Sequence, residues 1–429
     1  MKLDFNEFQQ SNPTFKELNL IRQKNFEEFQ RKGLPSKKQE KWKYTDLKTI
    51  FSNNLPDLEI FNNKKNSNYN KELLLRSFDH NKIILLNGNY IEKDFSFENE
   101  KKIHINSLEH ELNDGKSFDK IKSFFNLKLN ALVELNNALS VDGIILKIKD
   151  NYSLNKPLVI YNFFDKFSEN KIINSKVIIE IGKQSKLNLI EYYSSEDNIK
   201  YFNNTAHYYS IQRDSVLKKY SINNSSKNSY NYNLTKSKNY TNSIFENFLF
   251  SLNSQLIKND IQCDLLEPFS SCFVNSAILL NNNQHHELKT DVNHMHENCK
   301  SSQLVKSVLF DESNGTYQGK IFVDKNAQKT NGYQLSKALI LSKKSEFNSK
   351  PELEIYADDV KCSHGSTSGN IDQNSLFYLM SRGISKDEAN RMIIRGFLNQ
   401  SIETITDANV KSLIFKLFYG RLKKININL

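Results

Sequence analysis

Cys362 and His364 are the one thiol–imidazole pair of this sequence at two-residue spacing, at the end of the run Leu353-Glu354-Ile355-Tyr356-Ala357-Asp358-Asp359-Val360-Lys361-Cys362-Ser363-His364-Gly365. On an extended backbone that spacing puts both side chains on one face. A soft thiolate beside a borderline imidazole suits metal ligation or sulfur transfer. A buried Cys beside a hydrogen-bonded structural His is the plainer alternative. Asp358 and Asp359 precede the pair. Adjacent residues on a strand diverge, which is poor geometry for glycosidase carboxylates that must face each other across about 5–9.5 Å. His285, His286, His294, His296 and Cys299 form the densest set of further ligand types. A zinc site needs three or four convergent groups. Because His285 and His286 on a strand face opposite ways, this set reads as structural. Gly315-Thr316-Tyr317-Gln318-Gly319-Lys320 has the outline of a phosphate loop. It is one residue short between its glycines, and Ile321 stands where a magnesium-binding Ser or Thr belongs. A corner between strands is the reading that remains.

The elements that must carry these residues change character along the chain. Asn12-Pro13-Thr14 opens a helix with Phe15, Leu18, Ile21, Arg22, Phe26 and Phe29 near one face, stopped by Gly33-Leu34-Pro35. Glu40 to Leu47 holds the single Trp and reads as a packing and cap segment. Ser52 to Lys71 is Asn-rich and reads as a loop, and Lys82–Leu86 with Asn87-Gly88 as a strand and tight turn. A long helix is predicted over Ser117–Ser140, with Phe118, Ile121, Phe125, Leu132, Leu135 and Leu139 as core. From Asp142 the texture becomes short alternating strands, among them Gly143–Ile148, Leu158–Phe163, Lys176–Ile181, Lys186–Tyr192, Gly315–Val323 and Glu352–Tyr356. Such spacing predicts a sandwich, a barrel or a solenoid, and no repeating consensus decides among them. In the run above, Leu353, Ile355 and Ala357 alternate toward a buried face, and Gly365 lets the chain turn. Helices return after Gly369: Asn374–Ser381 behind an Asp372 cap, one behind the Ser385-Lys386-Asp387-Glu388 capping box, and one from about Asp407 to Tyr419. The domains expected are therefore 1–140, mostly helical; 141–360, β; and 361–429, helical.

At 429 residues the chain exceeds the size of one ordinary core. No stretch approaches the ~18–20 apolar residues of a membrane span, and Met1 to Gln30 has no signal-peptide core, so a cytoplasmic protein is expected. Four dispersed cysteines without a C-x-x-C pair argue against a disulfide framework or a self-contained cluster site. The charge of +10 rests on lysines scattered among asparagines, with only eight arginines and no basic stripe, so nucleic acid is not the expected partner.

The run from Pro351 to Gly369, continued by Leu376-Phe377-Tyr378-Leu379 and Ser381-Arg382-Gly383-Ile384, resembles the signature shared by the SufB/SufD family. These are scaffold subunits of the SUF iron–sulfur cluster assembly machinery. Gly315–Lys320 resembles the family's G-x-x-x-G-K turn, followed by Ala327-Gln328-Lys329-Thr330. His294, Cys299, Ser301 and Gln303 match its H-x4-C-x-S-x-Q pattern, with Glu297 where the family tends to have Pro. Trp42-Lys43-Tyr44-Thr45-Asp46 resembles the segment near the start of SufD-type members. The resemblance implies a right-handed parallel β-helix core flanked by helical N- and C-terminal parts. It implies a complex with a SufB-like paralogue and a SufC-like ABC-type ATPase, on which nascent clusters are built for apoproteins. It places His364 opposite a partner cysteine, with Cys362 as the motif's Cys, so that a transient cluster is shared and none is held stably by this chain alone. A non-catalytic subunit follows, with a homodimer left open for the isolated chain. The competing readings are a polysaccharide-active β-helix enzyme and a purely structural partner.

Overall fold

The computed structural model describes residues 3–62, 69–113, 115–425 and 427. The chain is mainly β, 42% strand and 27% helix, and winds into a parallel β-solenoid of about 8 turns with helices at both termini. From Asp142–Ile148 onward, successive strands are dealt alternately to two sheets. One sheet ends with His285–His294, Asn314–Val323 and Glu346–Ile355. The other ends with Lys300–Leu309, Thr330–Ile340 and Val360–Gly369. Register partners such as Lys186, Val216, Ile244, Ser271, Lys300, Asn331 and Lys361 lie about 30 residues apart, one coil each.

What makes the chain coil is written at its corners. Gln184, Asp214, Asn242, Phe269, Asn298 and Lys329 all have φ between +53° and +62°, once per coil at one edge. Asn170, Asn198, Ser254, Asn282 and Asp311 have φ between +53° and +75° at the other edge. Asn and Asp tolerate this left-handed conformation because a short polar side chain hydrogen-bonds locally. Between corners, every second residue enters the interior, where Leu187, Leu189, Leu217, Phe245, Val274, Leu288, Val292 and Val305 are buried. Each such side chain stabilises by on the order of 1.5–3 kcal/mol relative to exposure.

The outer faces are covered by helices. Lys16–Lys32 and Ala131–Leu139 pack on the first sheet with Trp42, Phe51, Phe202, Tyr230 and Tyr232. Lys386–Ile402 and Ala408–Lys424 bury Ile394, Leu398, Ile402, Val410, Ile414 and Phe418 against Phe248, Phe250, Leu279 and Val308 of the second. At the N-terminal end both parallel ladders stop against antiparallel strands, Asn89–Asp94 and Ile103–Ser107. At the C-terminal end they stop at Glu346–Ile355 and Val360–Gly369, whose outer edges have no strand beside them among the described residues.

Several expectations are corrected. The single helix over Ser117–Ser140 is two, Gly115–Phe125 and Ala131–Leu139. Asn130 restarts it, its side-chain oxygen accepting from the Leu132 and Val133 amides. The Asn-rich loop contains a two-residue strand, Glu59–Ile60, paired with Lys171–Ile172; its residues 63–68 lie outside the described residues. Gly315–Lys320 is not a corner: it lies within the strand Asn314–Val323. Gly365 is not a turn either, because it pairs with Leu335 in mid-strand. The direction changes earlier, between Ile355 and Val360, so the second sheet runs past residue 360 to Gly369.

Candidate functional site on the last coil

Cys362 and His364 lie on Val360–Gly369, the terminal strand, and share the face that points along the solenoid interior. Each ends an inward file of side chains, one per coil. The Cys362 file reads Leu187, Leu217, Phe245, Cys272, Ser301, Gly332, Cys362. Bulk thins toward the end, and Cys362 Sγ sits 3.3 Å from where a Cβ on Gly332 would stand. The His364 file reads Leu189, Lys219, Asn247, Val274, Gln303, Gln334, His364. His364 is exposed and Cys362 half-buried, although both face inward, because no further coil covers them among the described residues.

Burial pushes the Cys362 thiol above its usual range, against an opposing hydrogen bond from the Gly332 backbone. The thiol is therefore protonated in the lone chain, and becoming a ligand requires a nearby base or metal. The two Cα atoms are two strand residues apart, about 6.6 Å, so the side chains project side by side rather than touching. Together they offer one soft and one borderline ligand to whatever meets the open end.

The strand that leads into the site differs from expectation. It is Glu346–Ile355, longer than Glu352–Tyr356, and Leu353 is only half-buried while Ile355 is exposed. Ala357 is buried. Asp358 and Asp359 sit in the bend, not on a strand; the Asp359 amide donates to Gln328 Oε1 at 2.9 Å and its carbonyl accepts from the Lys329 amide. The histidine set is dispersed by the pleat. His285 faces outward and meets the Thr45 hydroxyl at 2.7 Å, whereas His286 faces inward beside the Ser254 carbonyl at 3.2 Å. His294 meets the Ser301 hydroxyl at 2.8 Å, His296 is exposed at a corner, and the Cys299 thiol donates to the Glu267 carbonyl at 3.4 Å.

The SUF system FeS cluster assembly SufBD core domain matches residues 164–397, and the SufBD protein N-terminal region matches residues 6–160. The chain belongs to the SufB/SufD family. It is an iron–sulfur cluster assembly protein of the SUF system. Similar proteins include the iron–sulfur cluster assembly protein SufD of Escherichia coli, 24% identical over 408 residues, covering 93% of this chain and 92% of that one. Protein ABCI7, chloroplastic, of Arabidopsis thaliana is 23% identical over 395 residues, 88% of this chain and 80% of its own. Bacillus subtilis SufD is 32% identical over 134 residues, 31% of each. Among the described residues of this family member, no helix is long and apolar enough to cross a membrane.

The sequence reading did not select Gly332 and Gln334, the register partners of the site pair. A signal existed: each precedes its partner by one coil, a period already marked by the Asn corners.

Proposed function

We propose that the chain is a SufD-type, non-catalytic subunit that joins a SufB-like paralogue at the last coil and works with a SufC-like ABC-type ATPase. On this assembly a nascent iron–sulfur cluster is built for transfer to apoproteins in the cytoplasm. The observation that carries the reading is the asymmetry of the solenoid. One end stops against antiparallel strands, while the other ends in a ten-residue edge strand that bears Cys362 and His364. An exposed edge of that length is a template for another chain. A cluster takes several ligands, commonly four thiolates. Two residues on one strand supply at most part of that set, so the cluster is cargo at a shared site. The ATPase fits the helix Gln373–Ser381, which buries only Leu376 and leaves Phe377 74% and Tyr378 57% exposed. Apolar side chains presented from one helix suit docking in a groove.

The test is substitution at the pair. His364→Ala removes the imidazole at an exposed position, where folding effects stay within about 0.5 kcal/mol. The three-protein complex should be recovered in full while cluster formation in cells falls sharply. Cys362→Ser should have the smaller effect if the partner's thiolate is the principal ligand. Loss of the complex on His364→Ala, or undiminished cluster content, would overturn the site assignment.

A further inference from the structure

The motif Gly315–Lys320 finds no use in nucleotide binding, yet its second glycine stands in a demanding place. Gly319 has an ordinary φ, so conformational freedom is not what requires it. Space is. A Cβ there would collide with the Tyr317 hydroxyl and with Gln334 Oε1. The slot admits a buried polar column across the interior of the last coils. Gln303 Oε1 accepts from the Thr290 hydroxyl and, at 2.9 Å, from the Tyr317 hydroxyl. The same Tyr317 hydroxyl lies 3.3 Å from Gln334 Oε1, and Gln334 Nε2 donates to the Glu352 carbonyl at 3.3 Å. Thr290, Gln303, Tyr317 and Gln334 are all fully buried. The column ends at Gln334, and the next residue of that file is His364, one strand spacing of about 4.8 Å beyond it.

We propose that Gln334 is a positioning residue for His364. Its carboxamide, clamped by Tyr317 and the Glu352 carbonyl in the slot left by Gly319, accepts a hydrogen bond from one ring N–H of the imidazole. The one Tyr317 hydroxyl proton is shared between Gln303 Oε1 at 2.9 Å and Gln334 Oε1 at 3.3 Å, so the Gln334 oxygen, with two lone pairs, keeps capacity for a second donor. A ring held this way keeps the lone pair of its other nitrogen for the open end. Metal-binding histidines commonly need that arrangement, donating the second N–H to a carbonyl or carboxylate behind them. This inference rests on the reading of His364 as a site residue, and it names what aims it.

The experiment uses the full-length chain labelled with ¹⁵N-histidine, with the His364 ring signals identified by their loss in His364→Ala. At alkaline pH, where the imidazole is neutral, the two ring-nitrogen shifts report the tautomer. One tautomer should dominate roughly tenfold, the bias that a single hydrogen bond supplies. Gln334→Met should return the ring to the mixture of a free imidazole, whereas Gln334→Glu, which keeps an acceptor oxygen, should restore the bias. Tyr317→Phe keeps the ring volume and releases the carboxamide, so it should weaken the bias even if Gln334→Met does not fold. A mixed tautomer in the unsubstituted chain, or no change in folded Gln334→Met and Tyr317→Phe, would overturn the proposal. A tautomer shift with unchanged cluster content in cells would uphold Gln334 as the positioning residue and remove His364 from cluster chemistry.

Discussion

Lys258 lies fully buried under the N-terminal segment, and its surroundings explain what Trp42-Lys43-Tyr44-Thr45 is for. The indole of Trp42 sits 4.6 Å from the Lys258 ammonium, which pairs with Glu287 and, at 3.3 Å, with Asp260. Thr45 hydrogen-bonds Glu287, and Gln318 donates to it at 2.7 Å. Burial opposes the lysine's charge, but Asp260 and Glu287 outweigh it and hold the ammonium above the ordinary lysine range. The segment is therefore a clamp that fastens the N-terminal part to the outer face of the first sheet. Lys258→Met would leave two carboxylates at the clamp without their cation. Breaking a buried pair from one side costs about 3–5 kcal/mol. The melting temperature should drop clearly, with Trp42 fluorescence shifting to the red as the segment lifts; an unchanged melt would show that the pair contributes nothing net. The packing role of this stretch was legible from its one Trp. Its lysine partner, more than two hundred residues away, was not.

At the scale of the element, the coil is the unit, and the corner residues set its length. The strand pattern was partly legible because inward and outward residues alternate. The strands Val216–Asn224, Tyr230–Asn239, Leu256–Leu265, His285–His294, Thr330–Ile340 and Val360–Gly369 were missed. Their inward faces carry Asn, Thr, Ser, His and Gln as well as aliphatic residues, which hides the period-2 signal. Asn231, Asn233, Thr235 and Ser237 line one such strand. Three residues of the corner lane, Gln184, Phe269 and Lys329, are neither Asn nor Asp, and Phe269, at φ +61° and 56% exposed, is the bulkiest of them. A left-handed conformation costs a side chain of this kind about 1–2 kcal/mol, and Asn bears it more easily. Phe269→Asn should raise stability by about 1 kcal/mol, seen as a higher melting temperature, because little apolar burial is lost. A lower melting temperature would mean that the ring packs where it stands.

Over the whole molecule, the solenoid interior holds three histidines that stay neutral. Burial lowers His207 to about 4, with Glu191 opposing; burial lowers His286 to about 3 and His294 to about 4. In the unfolded chain each takes its proton near 6.5. Between pH 6.5 and about 4 the unfolded state therefore binds more protons than the folded one. Stability is full above 6.5 and falls as the pH drops, by up to about 1.4 kcal/mol per pH unit for each group. The melting temperature should fall steeply between pH 7 and pH 5. His294→Gln should show a shallower fall; parallel falls in both proteins would show that His294 takes no part.

The family was readable from the order of residues, because a long motif is a local fact, and the resemblance carried the fold class with it. That Cys362 and His364 share one face of a strand was local too, a matter of their spacing of two. The Asn-Gly turn at Asn87-Gly88 and the Ser385 cap were readable for the same reason: their hydrogen bonds close within a few residues. What only the tertiary structure decided is that Val360–Gly369 is the last coil among the described residues, so that side chains facing the interior there are nevertheless exposed. The tertiary structure likewise decided that Gln334 backs His364 and Gly332 backs Cys362, and that Gly319 yields its volume to a hydroxyl from its own strand and a carboxamide from the opposite sheet. Coiling brings together residues about 30 positions apart, and that register accumulates from corner geometry over the whole chain rather than from any one window of it.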